Sequence, residues 1–184
     1  MNRLAYYLRA KNKYNLHSPF VFDFYCNVLT PKLKDDVLGA GGLRRSWKRN
    51  VALCCKIADY YGLPNVVFEE KLSAGSKFKD CLAAMEKFGN FKVCEIGSAD
   101  DFREEKVGVM VCKPENFSGW MEILSGKVAN DTVFVIPEIH GNEQNELLWL
   151  DVRKNGRVVL SLDVFYAGLV FFRKELSRQD FLLR

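Results

Sequence analysis

The sequence predicts an α/β domain built on a mostly parallel sheet, and three observations carry that prediction. Short β-branched or aromatic runs alternate with segments of helical period, the signature of strand–helix–strand units. The spacers between these runs are long enough for right-handed crossovers, which parallel strands require. Near the end, two apolar runs stand only a few residues apart, so that pair closes as an antiparallel hairpin.

Taken in order, residues 2–14 place Leu4, Tyr7 and Leu8 among basic residues, the pattern of an amphipathic helix lying on the domain. His17-Ser18-Pro19-Phe20 then starts a second helix: Ser18 accepts from a free helix N–H, and Pro19 sits at the first helical position where its missing donor costs nothing. His17 beside this cap reads as a residue that fixes the start of the helix and packs. The helix runs to about Leu29, ahead of Thr30-Pro31. Gly39, Gly41 and Gly42 mark a loop, after which Trp47, Val51, Cys54, Ile57, Ala58 and Tyr61 give a helix with one buried face.

The period then changes. Val66-Val67-Phe68 is a strand, residues 77–88 a helix, and residues 91–96 a second strand. Residues 106–112 hold a third apolar run, residues 117–124 a helix, and Thr132-Val133-Phe134-Val135-Ile136 a strongly β-branched strand. A helix over residues 142–154 leads to the closing hairpin, residues 158–163 and 168–173. We read the 184 residues as one domain, with 1–61 an N-terminal helical extension and 65–184 the α/β core.

Composition narrows the function classes. With 48% hydrophobic and 27% charged residues, the chain has the make-up of a globular domain rather than a disordered one. Its longest uncharged runs, such as residues 164–172, fall far short of the about 20 apolar residues that span a bilayer. No secretory pattern is visible at the N-terminus, so a cytoplasmic location and no membrane partner are expected. Cys26, Cys54, Cys55, Cys81, Cys94 and Cys112 form no C-x-x-C pair and read as reduced, structural thiols. His17 and His140 stand apart, so no metal site is expected. The formal charge of +4 comes from scattered Lys and Arg without a nucleic-acid-binding signature, and no nucleic-acid partner is expected.

Two long segments carry a resemblance. Residues 15–23, Asn-Leu-His-Ser-Pro-Phe-Val-Phe-Asp, and residues 163–175, Asp-Val-Phe-Tyr-Ala-Gly-Leu-Val-Phe-Phe-Arg-Lys-Glu, together with a closing Gln179, Phe181, Leu183 and Arg184, are similar to a group of bacterial methyltransferase-like proteins. Residues 131–140 match them too, so about half the chain resembles the class I S-adenosylmethionine (SAM) methyltransferases. That resemblance implies a Rossmann-like sheet and SAM as cofactor. It also implies a missing edge βα unit, because only the polar run 97–105 separates the second and third strands.

The cofactor motif is altered. The resemblance places the first-strand acid at Glu69, with Ser73 and Gly75 in the loop that follows, but Lys71 stands where the first glycine aligns and crowds the cofactor path. Glu95 is the candidate ribose carboxylate, one position early, with Asp100 and Asp101 as substitutes; one step along a strand turns a side chain to the other face. Lys113 replaces an acid, and Pro137-Glu138-Ile139-His140 replaces a paired-acid segment. Methyl transfer needs the sulfonium and acceptor held in line, plus a base when the acceptor carries a proton, and His140 and Glu138 are the base candidates. Phe165, Tyr166, Phe171 and Phe172 read as core and cross-strand packing of the closing hairpin, with an acceptor pocket as the rival reading.

The leading expectation is therefore a methyltransferase-family homologue with a degenerate SAM site and weak or absent cofactor binding. Two alternatives stand beside it: an active SAM-dependent enzyme on a small-molecule acceptor, and a non-catalytic scaffold that forms a homodimer or binds a partner through its N-terminal helices.

Overall fold

The computed structural model describes residues 3–31, 45–70, 72 and 76–184. The expected glycine loop at 39–42 and three positions of the cofactor turn, Lys71, Ser73 and Gly75, lie outside the described residues. The described core is α/β and compatible with a Rossmann-like fold, with seven strands in one sheet. The strands are β1 (Asn65–Glu69), β2 (Lys92–Ile96), β3 (Val107–Val111), β4 (Val128–Pro137), β5 (Leu160–Asp163), β6 (Ala167–Phe171) and β7 (Gln179–Leu182). They are ordered β2-β1-β3-β4-β6-β5-β7. The pairs β2–β1, β1–β3, β3–β4 and β5–β7 are parallel, whereas β6 runs antiparallel to both β4 and β5.

The chain moves from β1 outward to β2, then crosses back to put β3 on the other side of β1. That reversal makes the gap between the carboxyl ends of β1 and β3 the topological switch point, where open α/β sheets leave a crevice. β1 is thus an interior strand, although β4 is the middle one. β2 forms one rim, because only a 3-10 turn at Ala99–Asp101 lies between it and β3.

Alternating side chains divide the core into two layers. One face of the sheet contributes Val66, Phe68, Val109, Val111, Val133, Val135, Leu162 and Leu169, packed with Val51, Cys54, Ile57 and Ala58 of α3 (Arg45–Tyr61). α2 (Pro19–Phe24) and α4 (Ser76–Glu86) cover the same face through Phe24 and Met85. The other face carries Val67, Met110, Phe134, Ile136 and Val170 under α5 (Phe117–Ile123) and α6 (Glu143–Lys154). Helix α6 starts at an Asn142 cap that accepts from the Asn145 N–H at 2.8 Å, and its first turn holds Glu143 and Glu146, which suit the positive helix end.

Three expectations need correcting. The first helix, α1 (Arg3–Arg9), is shorter than residues 2–14; the chain leaves it at Ala10, bridges Lys11 to Leu183, and makes a separate 3-10 turn at Lys13–Asn15. The antiparallel hairpin strand is not the last strand, because β7 follows it and returns parallel to β5. His17 is exposed rather than packed, while Ser18 does cap α2, accepting from the Val21 N–H at 3.4 Å.

Candidate functional site

Two places at the carboxyl ends of the strands gather polar side chains. The first is the switch point. Glu69 ends β1 and is 8% exposed. One carboxylate oxygen accepts from the Lys113 backbone N–H at 2.8 Å, and the other accepts from the Asn116 side-chain amide. Its charge is therefore engaged by groups just after β3, across the crevice. The pairing of Phe68 with Glu95 and of Glu69 with Ile96 puts Glu95 on the opposite face of the sheet from Glu69. The structure does not bring these two candidate cofactor residues together.

Beyond β2, Asp101 caps its own loop: one oxygen accepts from the Gly97 N–H at 2.9 Å, the Ser98 N–H at 2.8 Å and the Ser98 hydroxyl at 3.0 Å. The two backbone N–H bonds, followed by the hydroxyl, hold its carboxyl below the usual range. Glu70, which the motif reading passed over, lies across this turn. Its amide donates to the Ile96 carbonyl at 2.8 Å, and its Oε2 stands 2.8 Å from where a Cβ on Gly97 would be.

The second place lies at the ends of β4 and β5, and it contains both base candidates. His140 is held by carboxylates on either side: Nδ1 is 3.0 Å from Glu146 Oε1 and Nε2 is 2.8 Å from Asp163 Oδ2. The imidazole is 6% exposed and the Asp163 side chain 5%, while Glu146 keeps 27%. An ionised carboxylate only accepts, so both contacts are hydrogen bonds together when the ring carries two protons or one carboxyl is protonated. Neither nitrogen is open to a substrate unless one carboxylate lets go. Glu138 is exposed, and its backbone carbonyl accepts from the Gly141 N–H at 2.8 Å and the Asn145 amide at 2.9 Å.

Asp163 joins this cluster to the rest of the fold. Its Oδ1 accepts from the Phe165 N–H at 2.9 Å. Its backbone carbonyl lies 2.7 Å from the hydroxyl of Tyr6, which is equally close to the Leu183 carbonyl. Tyr6 is buried, its ring meets His140 and Phe165 edge-on at 5.6 and 5.0 Å, and burial followed by the Asp163 charge pushes its phenol well above the usual value. Phe165 stacks on His140 at 5.5 Å.

The turn carrying Phe165 is strained. Phe165 has φ +71° and Glu138 φ +56°, the two non-glycine residues with positive φ among the described residues. A left-handed conformation is an outlier for a bulky side chain and costs of the order of 1–3 kcal/mol. Phe165 holds it as the centre of a γ-turn, with the Tyr166 N–H donating to the Val164 carbonyl at 3.0 Å. The Glu138 N–H donates to the Tyr166 carbonyl at 3.0 Å, so both strained residues are tied into one unit.

A cleft opens over this unit. About 440 Å³ in volume, it is lined by Arg3, Arg49, Glu138, His140, Phe165 and Tyr166 with Gly141. A neighbouring hollow of about 240 Å³ shares Arg3, Arg49, Phe165 and Tyr166 and extends toward Tyr7, Tyr25 and Arg184. The sequence offers His140 and Glu138 together as base candidates and reads Phe165 and Tyr166 as hairpin packing; the structure brings all four to one cleft. Asp163, Glu146, Tyr6, Arg3 and Arg49 are missed by sequence reasoning. The only local signal was Asp163 at a strand end before two aromatics.

These features define an α/β protein with a Rossmann-like sheet and polar clusters at its strand ends. Beyond that class, no protein-family model, curated protein or solved structure matches the chain. Among the described residues, no group of three His, Cys, Asp or Glu is placed to hold a metal ion. Among the same residues, no helix is long and apolar enough to cross a membrane.

Proposed function

We propose that the chain is a methyltransferase-type protein with a degenerate SAM site, one that binds SAM weakly or not at all. The observation that carries this reading is the engagement of the strand-end carboxylates by the protein itself. A bound SAM needs an acid at the end of the second strand for its ribose hydroxyls and an open turn after the first. Here Glu69 is occupied by the Lys113 N–H and Asn116, Asp101 by Gly97 and Ser98, and Glu95 faces the other way. Glu70 fills the open side of Gly97, where a ligand would otherwise make its closest approach.

The strand order supports the methyltransferase part of the reading, since an antiparallel strand inserted beside β4 and a rim at β2 fit such a sheet without one edge unit. His140 and Glu138 stay at the end of β4, where an acceptor would lie; His140 could act as a base there only by releasing Asp163 or Glu146. Calorimetric titration with SAM and S-adenosylhomocysteine tests the proposal. The expected result is a dissociation constant weaker than about 1 mM, and micromolar binding would overturn it in favour of an active enzyme.

One observation favours a second reading, a scaffold that pairs through its N-terminal helices: Leu4 is 69% and Leu8 78% exposed on α1. Light scattering of the full chain and of Leu8→Glu checks it. A dimer that Leu8→Glu dissociates supports this reading, and a strict monomer removes it.

A further inference from the structure

The cleft over the strained turn has features that neither SAM binding nor its loss explains. We propose that it binds a small molecule carrying a carboxylate or phosphate on a flat apolar body.

Arg3 and Arg49 reach the cleft from α1 and α3, both are exposed, and neither makes an ion pair or hydrogen bond through its guanidinium among the described residues. What holds them is ring faces: the Arg3 Cζ lies 5.7 Å from the centroids of Tyr7 and Phe165, and the Arg49 Cζ 5.7 Å from that of Tyr166. A ring face attracts a guanidinium without neutralising it and leaves its N–H fork free for a planar anion. The carboxylates beside His140, Asp163 and Glu146, are engaged by its ring. Among the described residues, Glu138 is the one acidic residue lining the cleft, against two guanidiniums, so the balance favours an anionic ligand. Arg184 adds a third cation in the adjoining hollow, with one guanidinium nitrogen donating to the Tyr7 carbonyl at 2.8 Å.

Shape supplies the second part. A cleft of about 440 Å³ is in the range of small-molecule sites, and it is too small for a folded partner. Phe165 and Tyr166 give it an aromatic lining, and the Tyr166 hydroxyl, which has no protein partner among the described residues, is available as a donor. The third part is strain. Both positive-φ residues border this cleft, and backbone strain of this kind is retained where it positions groups for a ligand.

The cleft lies where the SAM reading would seat an acceptor, beside His140 and Glu138, but ligand binding here is independent of SAM, because it uses none of Glu69, Glu95 or the Gly97 turn. Its test is calorimetric titration of the full chain with benzoate, phenyl phosphate, inorganic phosphate and benzyl alcohol, repeated on Arg3→Gln, Arg49→Gln and Glu138→Gln. We expect saturable binding of at least one aryl anion, with the tighter of benzoate and phenyl phosphate identifying the head group. Each arginine variant should weaken it about tenfold, as loss of a charge-assisted bond does, and Glu138→Gln should tighten it. Thermal midpoints close to the parent's show that these exposed substitutions leave the fold intact, and Arg49→Lys, which keeps charge but loses the planar fork, should bind between parent and Arg49→Gln. No aryl-anion binding up to about 10 mM would overturn the proposal. So would binding that is unchanged in both arginine variants, or benzyl alcohol or inorganic phosphate binding as well as the aryl anions.

Discussion

Replacing His140 with alanine probes the cluster that joins α1, β4, β5 and α6. The substitution removes a ring that is 6% exposed, along with contacts of 2.8 Å to Asp163 and 3.0 Å to Glu146. The Asp163 side chain is 5% exposed, so its carboxylate would keep the Phe165 N–H but lose the partner that offsets its burial. Breaking a buried pair by removing one partner costs about 3–5 kcal/mol. Glu146 is 27% exposed and can turn to water, so its share is at most about 1 kcal/mol. The stacked and edge-on contacts with Phe165 and Tyr6 add about 0.5–1.5 kcal/mol. The expected loss is therefore about 4–7 kcal/mol, a large part of the roughly 5–15 kcal/mol that holds a typical domain together. Urea unfolding at neutral pH measures it, with an unchanged slope showing that the transition remains comparable. Adding Asp163→Asn to His140→Ala should recover about 1–2 kcal/mol, because the stranded charge is gone. A loss below about 1 kcal/mol, or no recovery in the double variant, would refute the claim that a buried charge is balanced here.

Other parts of the fold give further expectations. Gly168→Val should destabilise by at least roughly 1–3 kcal/mol in the same assay, because even a Cβ at this β6 position would meet the Trp149 ring at 2.5 Å; a neutral effect would show that α6 moves freely. Burial pushes the Tyr166 phenol up from 10.0 to about 12, against the opposing effect of Arg49, and raises Tyr6 as well. A raised phenol pKa means the folded state holds the proton longer, so this stability is complete below pH 10 and falls as pH rises toward about 12. The part of the tyrosinate absorbance that Tyr166→Phe removes should appear late and together with unfolding, and its appearance near pH 10 in the folded protein would contradict this. Burial also raises the Cys54 and Cys112 thiols well above their usual value, so native protein should leave both unmodified by a thiol reagent that reaches half-buried Cys26. Mass mapping of the labelled sites checks this.

The fold was legible where the pattern is local. The β-branched run at 132–136 sits inside β4, and the buried face of α3 follows the spacing of Val51, Cys54, Ile57 and Ala58. β7 was not legible as a strand, because only one side chain of Gln-Asp-Phe-Leu is buried and the strand exists by pairing with β5. The early end of α1 has a tertiary cause too: Lys11 donates to the Leu182 carbonyl at 2.7 Å and is drawn into the rim of the sheet.

The site divides in the same way. Glu69 could be found as a strand-end acid, but its partners lie 44 and 47 positions away and only the fold brings them near. His140 and Glu138 were legible as polar residues after a strand. The pairing of His140 with Asp163 spans 23 positions and crosses an inserted antiparallel strand, so no spacing rule reveals it. Phenylalanine is not a residue whose chemistry signals a left-handed turn, and the strain at Phe165 is held by Asp163, which accepts from the Phe165 N–H, and by Val164, which accepts from that of Tyr166.

An amide NMR titration of the full chain with SAM addresses the degenerate site most directly, because it reads the Gly97, Ser98 and Lys113 amides that the protein's own carboxylates occupy. The expected spectrum keeps these three signals in place through millimolar ligand. Saturable movement of the same signals at micromolar SAM would mean that Glu69 and Asp101 exchange their internal partners for the cofactor, and the reading of a lost SAM site would be wrong.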